Sequence, residues 1–193
     1  FAERPADAEL PDANAKHAVE AIVGNAKRLG ALVEDLLELS RIESGSVPLR
    51  PEPIAVAELA ERLLRELDPR LRTGELGSDV EIDGAGRVIA DRGALEHVLA
   101  NLLDNAIKYT PAGGRVAVQV RPAPEGRVRI EVVDSGLGIP RKDLPRIFER
   151  FYRVDPSRSR ALGGTGLGLA IVKHQVQAMG GQLGVESQLG RGS

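Results

Sequence analysis

The chain has 193 residues, enough for one or two domains that bury a core without crosslinks. Charged residues are 28% and hydrophobic residues 42%, and the formal net charge is -2, an ordinary soluble composition with no global reason to bind nucleic acid. Cysteine is absent, which excludes disulfides, thiolate catalysis and thiolate metal sites, and no apolar run reaches the roughly 18 residues of a membrane span.

Residues 1–13 are rich in Pro, Ala and Asp and predict an irregular lead-in, with Pro11 near the start of a helix. Residues 14–44 carry Ala18, Ile22, Leu29, Leu32, Val33, Leu36 and Leu39 at spacings of three and four, the stripe of one long helix. Such a stripe needs a partner. With Gly45 as a C-terminal cap and a proline-rich joint behind it, the expectation is one helix of a helical hairpin whose other helix is mostly absent, the alternative being a helix that packs on the domain that follows. The chain begins on Phe1 and stops on Gly192-Ser193, which reads as a fragment of a longer protein.

Three units are expected: a helical segment over 1–46, a linker over 47–53 and an α/β domain over 54–193. Within the last, residues 56–67 predict a helix, followed by a glycine-rich stretch with short strands at 80–82 and 88–90. A helix over 91–109 comes next. Two strands then alternate apolar and polar residues, Val116, Val118 and Val120 in the first and Val128, Ile130 and Val132 in the second. A flexible stretch over 152–168 leads to a helix over 169–179 and a last strand over 183–186. Helices interleaved with antiparallel strand pairs predict a two-layer α/β sandwich with a mixed, largely antiparallel sheet and helices on one face. Phe148, Phe151 and Tyr152 crowd into five residues of an aromatic-poor chain, as core packing does.

On the 91–109 helix, at about 100 degrees per residue, the apolar arc of Leu95, Val98, Leu99, Leu102, Leu103, Ala106 and Ile107 leaves Asn101 and Asn105 four apart at its margin. Amide oxygens are hard ligands of the kind magnesium takes, with phosphate oxygens completing the shell. Lys108 lies one turn from Asp104 and Asn105, within reach of phosphate. Two asparagines alone are equally a polar flank; the glycine segments tip the balance. Asp134-Ser135-Gly136-Leu137-Gly138-Ile139-Pro140 follows a strand, where a carboxylate can accept from an exocyclic amine such as that of adenine. Gly163-Gly164-Thr165-Gly166-Leu167-Gly168-Leu169 runs into a helix and offers backbone amides and a positive helix end to phosphates. It is not a Walker loop, since no G-K-[ST] ends it.

Together these segments resemble the catalytic, ATP-binding domain of bacterial sensor histidine kinases and, more broadly, the ATPase superfamily of gyrase, Hsp90 and MutL. Residues 101–110 resemble its N box, 134–139 its first glycine box, 147–152 its F box and 164–169 its second glycine box. The resemblance implies a Bergerat-type fold that binds ATP and Mg2+. It implies that Asn105 coordinates magnesium with Asn101 as companion, that Lys108 contacts phosphate, that Tyr109 lies against adenine and that Asp134 holds its amino group. Gly136, Gly138 and Ile139 would line the base. Phe148 and Tyr152 would pack at the foot of a lid over 153–163 that begins at Arg153, and Gly164, Thr165, Gly166, Leu167, Gly168 and Leu169 would close over the phosphates. Arg153 and Arg158 are candidates for phosphate or for the histidine domain, while Arg158 and Arg160 equally suit a solvated face. An amide at Asn101, where gyrase-like members have a glutamate base, implies a kinase rather than a hydrolase.

The resemblance further implies transfer of the γ-phosphoryl group to a histidine of a dimeric four-helix bundle and then to an aspartate on a response regulator receiver domain. Residues 25–43 resemble the second bundle helix; the phosphoacceptor motif of the first is not present, so this chain would not phosphorylate itself. Partners would be the receiver domain and the family's own histidine-bearing helices, in a homodimeric parent, with no nucleic acid. A membrane anchor would lie outside the chain, in a bacterial inner-membrane parent whose kinase part is cytoplasmic. His17 and His97 read as surface residues, and His174 as an ordinary surface residue or, alternatively, a supporting residue near the phosphate end. The family usually adds one more strand after Ser193, whose loss would expose a sheet edge. Alternatives are an ATP-hydrolysing switch, a protein-serine kinase of the anti-sigma type, or a binding and dimerisation module without turnover.

Overall fold

A computed structural model describes residues 13–44, 48–84, 86–155 and 164–193. The elements run α1 (Ala13–Glu43), β1 (Pro51–Ala55), α2 (Val56–Thr73), β2 (Gly77–Ile82), β3 (Arg87–Asp91), α3 (Arg92–Tyr109), β4 (Arg115–Pro122), a short 3-10 turn (Pro124–Gly126), β5 (Val128–Asp134) and α4 (Gly168–Ala178). Gly45, Val47, Arg158, Arg160 and Gly163, and with them most of the expected lid, lie outside the described residues.

Strand alternation builds the main sheet. β2 pairs with β4 in parallel and β4 with β5 antiparallel, and the register sets Val80, Val118 and Val132 in one row and Ile82, Val120 and Ile130 in the next. These side chains project toward one face, where Val116, Val118 and Val120 are fully buried under α2 and α3. The opposite face carries Glu81, Gln119 and Arg115, joined by hydrogen bonds across the strands. The expected two-layer α/β arrangement with a mixed, largely antiparallel sheet is therefore present. The core is completed by Leu59, Leu63 and Leu71 of α2 and Leu95, Leu99 and Leu103 of α3.

Three elements depart from the sequence expectation. Pro51 and Pro53, expected in the proline-rich joint, lie in β1, which among the described residues is bonded to β3 alone, and an edge position tolerates a missing N–H. The helix expected to stop near residue 67 continues through Pro69 to Thr73, since Leu71 is buried at 3% exposure and the Thr73 hydroxyl donates to the Pro69 carbonyl at 2.8 Å. The strand expected over 183–186 does not form. Asp134 and Ser193 exchange backbone hydrogen bonds of 2.8 and 3.2 Å, so the last residues, not residues 183–187, take the position beside β5.

α1 is 31 residues long, and its apolar positions divide between two faces. Leu39 is buried, with Leu32 and Ile42 half-buried beside it, against Leu167 and Ile171 at the start of α4. Ile22, Leu29, Val33 and Leu36 on the adjoining face are at least half exposed. No helix among the described residues is long and apolar enough to cross a membrane.

α3 starts at Asp91, whose carboxylate accepts from the Ala94 N–H at 2.9 Å and from the Arg50 N–H at 2.9 Å. These donors, Arg50 first, hold the Asp91 carboxyl below the usual range. A lowered carboxyl contributes stability above the ordinary range near pH 4 and loses it as pH falls through the lowered value. Asp91→Ala is expected to lower unfolding free energy at pH 7 by about 1 kcal/mol, measured by urea denaturation, with a smaller difference from wild type near pH 2.

Candidate functional site

The candidate site lies where α3, the end of β5 and the start of α4 meet. Its parts come from residues more than sixty positions apart, brought together by the packing of α3 and α4. Asn101 is half-buried on α3, and its Nδ2 donates to the His97 carbonyl at 3.0 Å. Its Oδ1 lies against Gly168, 2.7 Å from where a Cβ on that residue would stand, so a side chain there would displace the amide from this position. Asn105 is half-buried one turn further along, with no hydrogen bond to its amide among the described residues.

Lys108 has its ammonium 2.6 Å from the Asp104 carboxylate, which Arg70 of α2 also contacts at 2.8 Å. The cation is thus positioned from behind rather than free in solvent. Tyr109 ends α3, and its carbonyl accepts from the Leu137 N–H at 3.2 Å, which ties the first glycine segment to the helix.

Asp134 closes β5 on the helix-facing side, in register with Val116, so its carboxyl enters a poorly hydrated space. Burial raises this carboxyl above its usual range, opposed by the backbone N–H groups of Gly136 and Ser193. The Gly136 N–H donates to Asp134 Oδ1 at 2.8 Å. Gly138 continues the turn, and the Ile139 N–H donates to Ser187 Oγ at 2.7 Å, fastening the loop to the C-terminal segment.

The F segment forms consecutive turns over 141–151. Phe148 is half-buried, Phe151 is 60% exposed at a φ of 62°, and the Tyr152 hydroxyl donates to Asp143 at 2.7 Å beneath the Arg146 guanidinium. The expected crowding into the core is therefore wrong for Phe151, whose backbone is spent on holding the second glycine segment. Its N–H donates to the Gly166 carbonyl at 2.8 Å, and Gly166 takes a φ of 79° that an L side chain would strain. Arg153 donates to the Gly164 carbonyl from the same side.

Thr165 receives the Leu167 N–H at 3.2 Å and donates its hydroxyl to Asp35 of α1 at 2.7 Å. Leu167 is fully buried and supplies no side-chain cap, so the first amides of α4, at Gly168 and Leu169, meet no side chain of their own cap residue. Leu32, Phe151, Tyr152, Arg153 and Thr165 line an open cleft of about 470 Å3 beside α1.

The donor set suits a magnesium nucleotide. Hard amide oxygens, a fixed ammonium, an uncapped helix start and a half-buried carboxyl are the groups such a ligand requires. Among the described residues no three His, Asp or Glu side chains are placed to hold a metal ion, so a metal here would need the ligand's own oxygens.

Sequence reasoning missed the row of α1 carboxylates that contacts this region. Asp35 meets Thr165, Glu38 meets His97 and Gln175, and Glu43 meets Arg150 and His174. Their signal was an acidic set on the same helical face as Leu32, Leu39 and Ile42, separate from the exposed stripe.

Comparison with known proteins identifies the family. A family model described as "Histidine kinase-, DNA gyrase B-, and HSP90-like ATPase" matches residues 90–193, and the chain belongs to that family. The sensor-like histidine kinase SenX3 of Mycolicibacterium smegmatis is 37% identical over 188 residues, which cover 97% of this chain and 48% of that protein. Full-length ShkA, solved in complex with AMPPNP, superposes with a TM-score of 0.77 at 32% identity, covering 94% of this chain and 37% of that one. The Acinetobacter baumannii histidine kinase AdeS gives a TM-score of 0.73 at 27% identity, over 96% of this chain and 84% of that one. The chain spans about half or less of the length of the curated relatives it matches.

Gly168→Ala tests the close approach directly. The added methyl is expected to push the Asn101 amide aside, seen as loss of the wild-type Asn101 side-chain resonance while the far-UV circular dichroism is unchanged. An unshifted Asn101 signal would contradict the packing described.

Proposed function

We propose that residues 54–193 are the catalytic part of a sensor histidine kinase, which binds ATP with Mg2+ and passes the γ-phosphoryl group to a histidine on a dimerisation helix outside this chain. The observation that carries this is the contact of Asn101 with Gly168, which joins an asparagine-bearing helix to a glycine-bearing helix start. Residues 1–46 are a truncated dimerisation segment whose helix α1 corresponds to the second helix of the hairpin, with residues 47–53 as the passage into the catalytic part. Similarity to SenX3 and to ShkA, solved with AMPPNP, supports the reading.

Bound Mg·ATP would supply the phosphoryl group and a metal charge that offsets the negative charge of the transferring group. Asn105 and Asn101 present amide oxygens to the metal, while Lys108, held by Asp104, offers its ammonium to phosphate. Asp134, at the poorly hydrated end of β5, would accept from the adenine amine, with Gly136, Gly138 and Ile139 as the residues that would line the base. Tyr109, Phe148 and Tyr152 border the base and the lid. Arg153 and residues 164–169 close over the phosphates, with backbone N–H groups at the start of α4 as donors. Nothing at Asn101 takes a proton from water, and the nearest upstream carboxylate, Glu96, is bound to Arg62 at 2.6 Å. That favours transfer to a histidine over hydrolysis.

The exposed row of Ile22, Leu29, Val33 and Leu36 suits the missing hairpin helix and a second copy in a homodimer. The relay would end on an aspartate of a response regulator receiver domain. The parent would be anchored in the bacterial inner membrane by segments outside this chain, with this part on the cytoplasmic side.

Isothermal titration with a non-hydrolysable ATP analogue tests the metal assignment. Wild type is expected to bind only with Mg2+, and Asn105→Ala to lose about tenfold or more of that affinity at an unchanged melting temperature. Equal affinity in the variant would overturn the role given to Asn105.

A further inference from the structure

The loop over 134–139 is clamped between the end of α3 and a tight turn over 187–193 to which the nucleotide reading gives no role. The Leu137 N–H donates to the Tyr109 carbonyl at 3.2 Å, and the Leu137 carbonyl accepts from the Gly190 N–H at 2.7 Å. At the foot of the loop Asp134 and Ser193 exchange their backbone bonds. Gly138 takes a φ of 66° and lies so near the Gln188 carbonyl that a Cβ would not fit between them. The Gln188 N–H donates to the Gly192 carbonyl at 3.1 Å and closes the turn.

Ser187 joins the two segments through its side chain. Its half-buried Oγ accepts from the Ile139 N–H at 2.7 Å, donates to the Gly192 carbonyl at 2.9 Å and lies 2.8 Å from Ser193 Oγ. A serine hydroxyl has one hydrogen and two lone pairs. With that hydrogen on Gly192, the Ser193 hydroxyl must be the donor to Ser187, and the three bonds exhaust what Oγ can make. Alanine at 187 would leave the half-buried Ile139 N–H without this acceptor.

We propose that Ser187 is a positioning residue for the base of the nucleotide: its hydroxyl fixes residues 137–139 against Asp134 and so sets the depth at which an adenine sits. The N–H groups of Gly136, Leu137 and Ile139 are already spent on Asp134, Tyr109 and Ser187. Reading of an exocyclic amine therefore falls to the Asp134 carboxylate, and the part left to the loop is to hold the ring where that carboxylate reaches it. Ser187 acts at the base end alone, because its bonds run to residues 139, 192 and 193 and none runs to α3 or α4. The inference rests on the proposed nucleotide site, whereas the Ser187 junction itself is read without nucleotide.

Amide NMR of the labelled chain carries the test in two arms. Without ligand, Ser187→Ala is expected to speed hydrogen exchange of the Ile139 amide by about tenfold or more, with the melting transition retained. With ligand, titrations follow a magnesium-bound non-hydrolysable ATP analogue and, separately, magnesium tripolyphosphate, which has no base. Ser187→Ala is expected to lose about three- to tenfold in affinity for the analogue, the order of one hydrogen bond, at unchanged affinity for tripolyphosphate. Ser187→Thr, which keeps the hydroxyl, is expected to behave as wild type in both arms. Unchanged Ile139 exchange, an equal loss for both ligands, or a loss in Ser187→Thr matching that in Ser187→Ala would each overturn the role of Ser187. A wild-type chain that binds the analogue while Ser187→Ala binds it equally well overturns this inference alone; a wild-type chain that binds neither ligand overturns the nucleotide reading and this inference with it.

Discussion

The approach of α3 to α4 at Gly168 is the constraint on which the candidate site depends. An α-helix presents a surface of side chains, and helices ordinarily keep about 8–10 Å between axes. A glycine at the first position of α4 removes the obstacle where the Asn101 amide must lie. From that contact follow the alignment of Asn105 one turn on and the opening of the α4 amides toward the same space. The sheet supplies the remaining coordinate, since the register of β4 with β5 turns Asp134 to the face that the helices cover.

α1 relates to this centre through a different kind of interface. Its apolar contact is small, Leu39 with Leu167 and Ile171, and the surrounding contacts are carboxylates paired with a hydroxyl, an amide, two imidazoles and a guanidinium. Such a surface is held by few groups and responds to charge, unlike the core between α2, α3 and the sheet. On the proposed function, such an interface suits a helix that shifts against the domain beneath it.

Much of this was legible in the sequence because its signals are local. The alternation of Val116, Val118 and Val120 defined β4, and the arc of Leu95 to Ile107 defined α3. The four segments of the site also stood in readable order. What escaped depends on partners distant in sequence. Pro51 and Pro53 read as a break until β3 offers an edge, and Pro69 reads as a stop until Leu71 finds a core. Residues 183–186 look like a strand, but Ser193 takes the place beside β5. The polar face of α1 was hidden because acidic residues on a helix normally meet only water, and nothing local marks Glu38 as facing His97.

The central claim is that α3, the end of β5 and the start of α4 form one nucleotide site. Amide NMR of the labelled chain, titrated with a magnesium-bound non-hydrolysable ATP analogue, addresses it most directly. The account predicts saturable shifts concentrated at residues 101–109, 134–139 and 164–169, with the strands of the outer sheet face unaffected. Saturable shifts confined to other surfaces, or none at all in the folded chain, would contradict it.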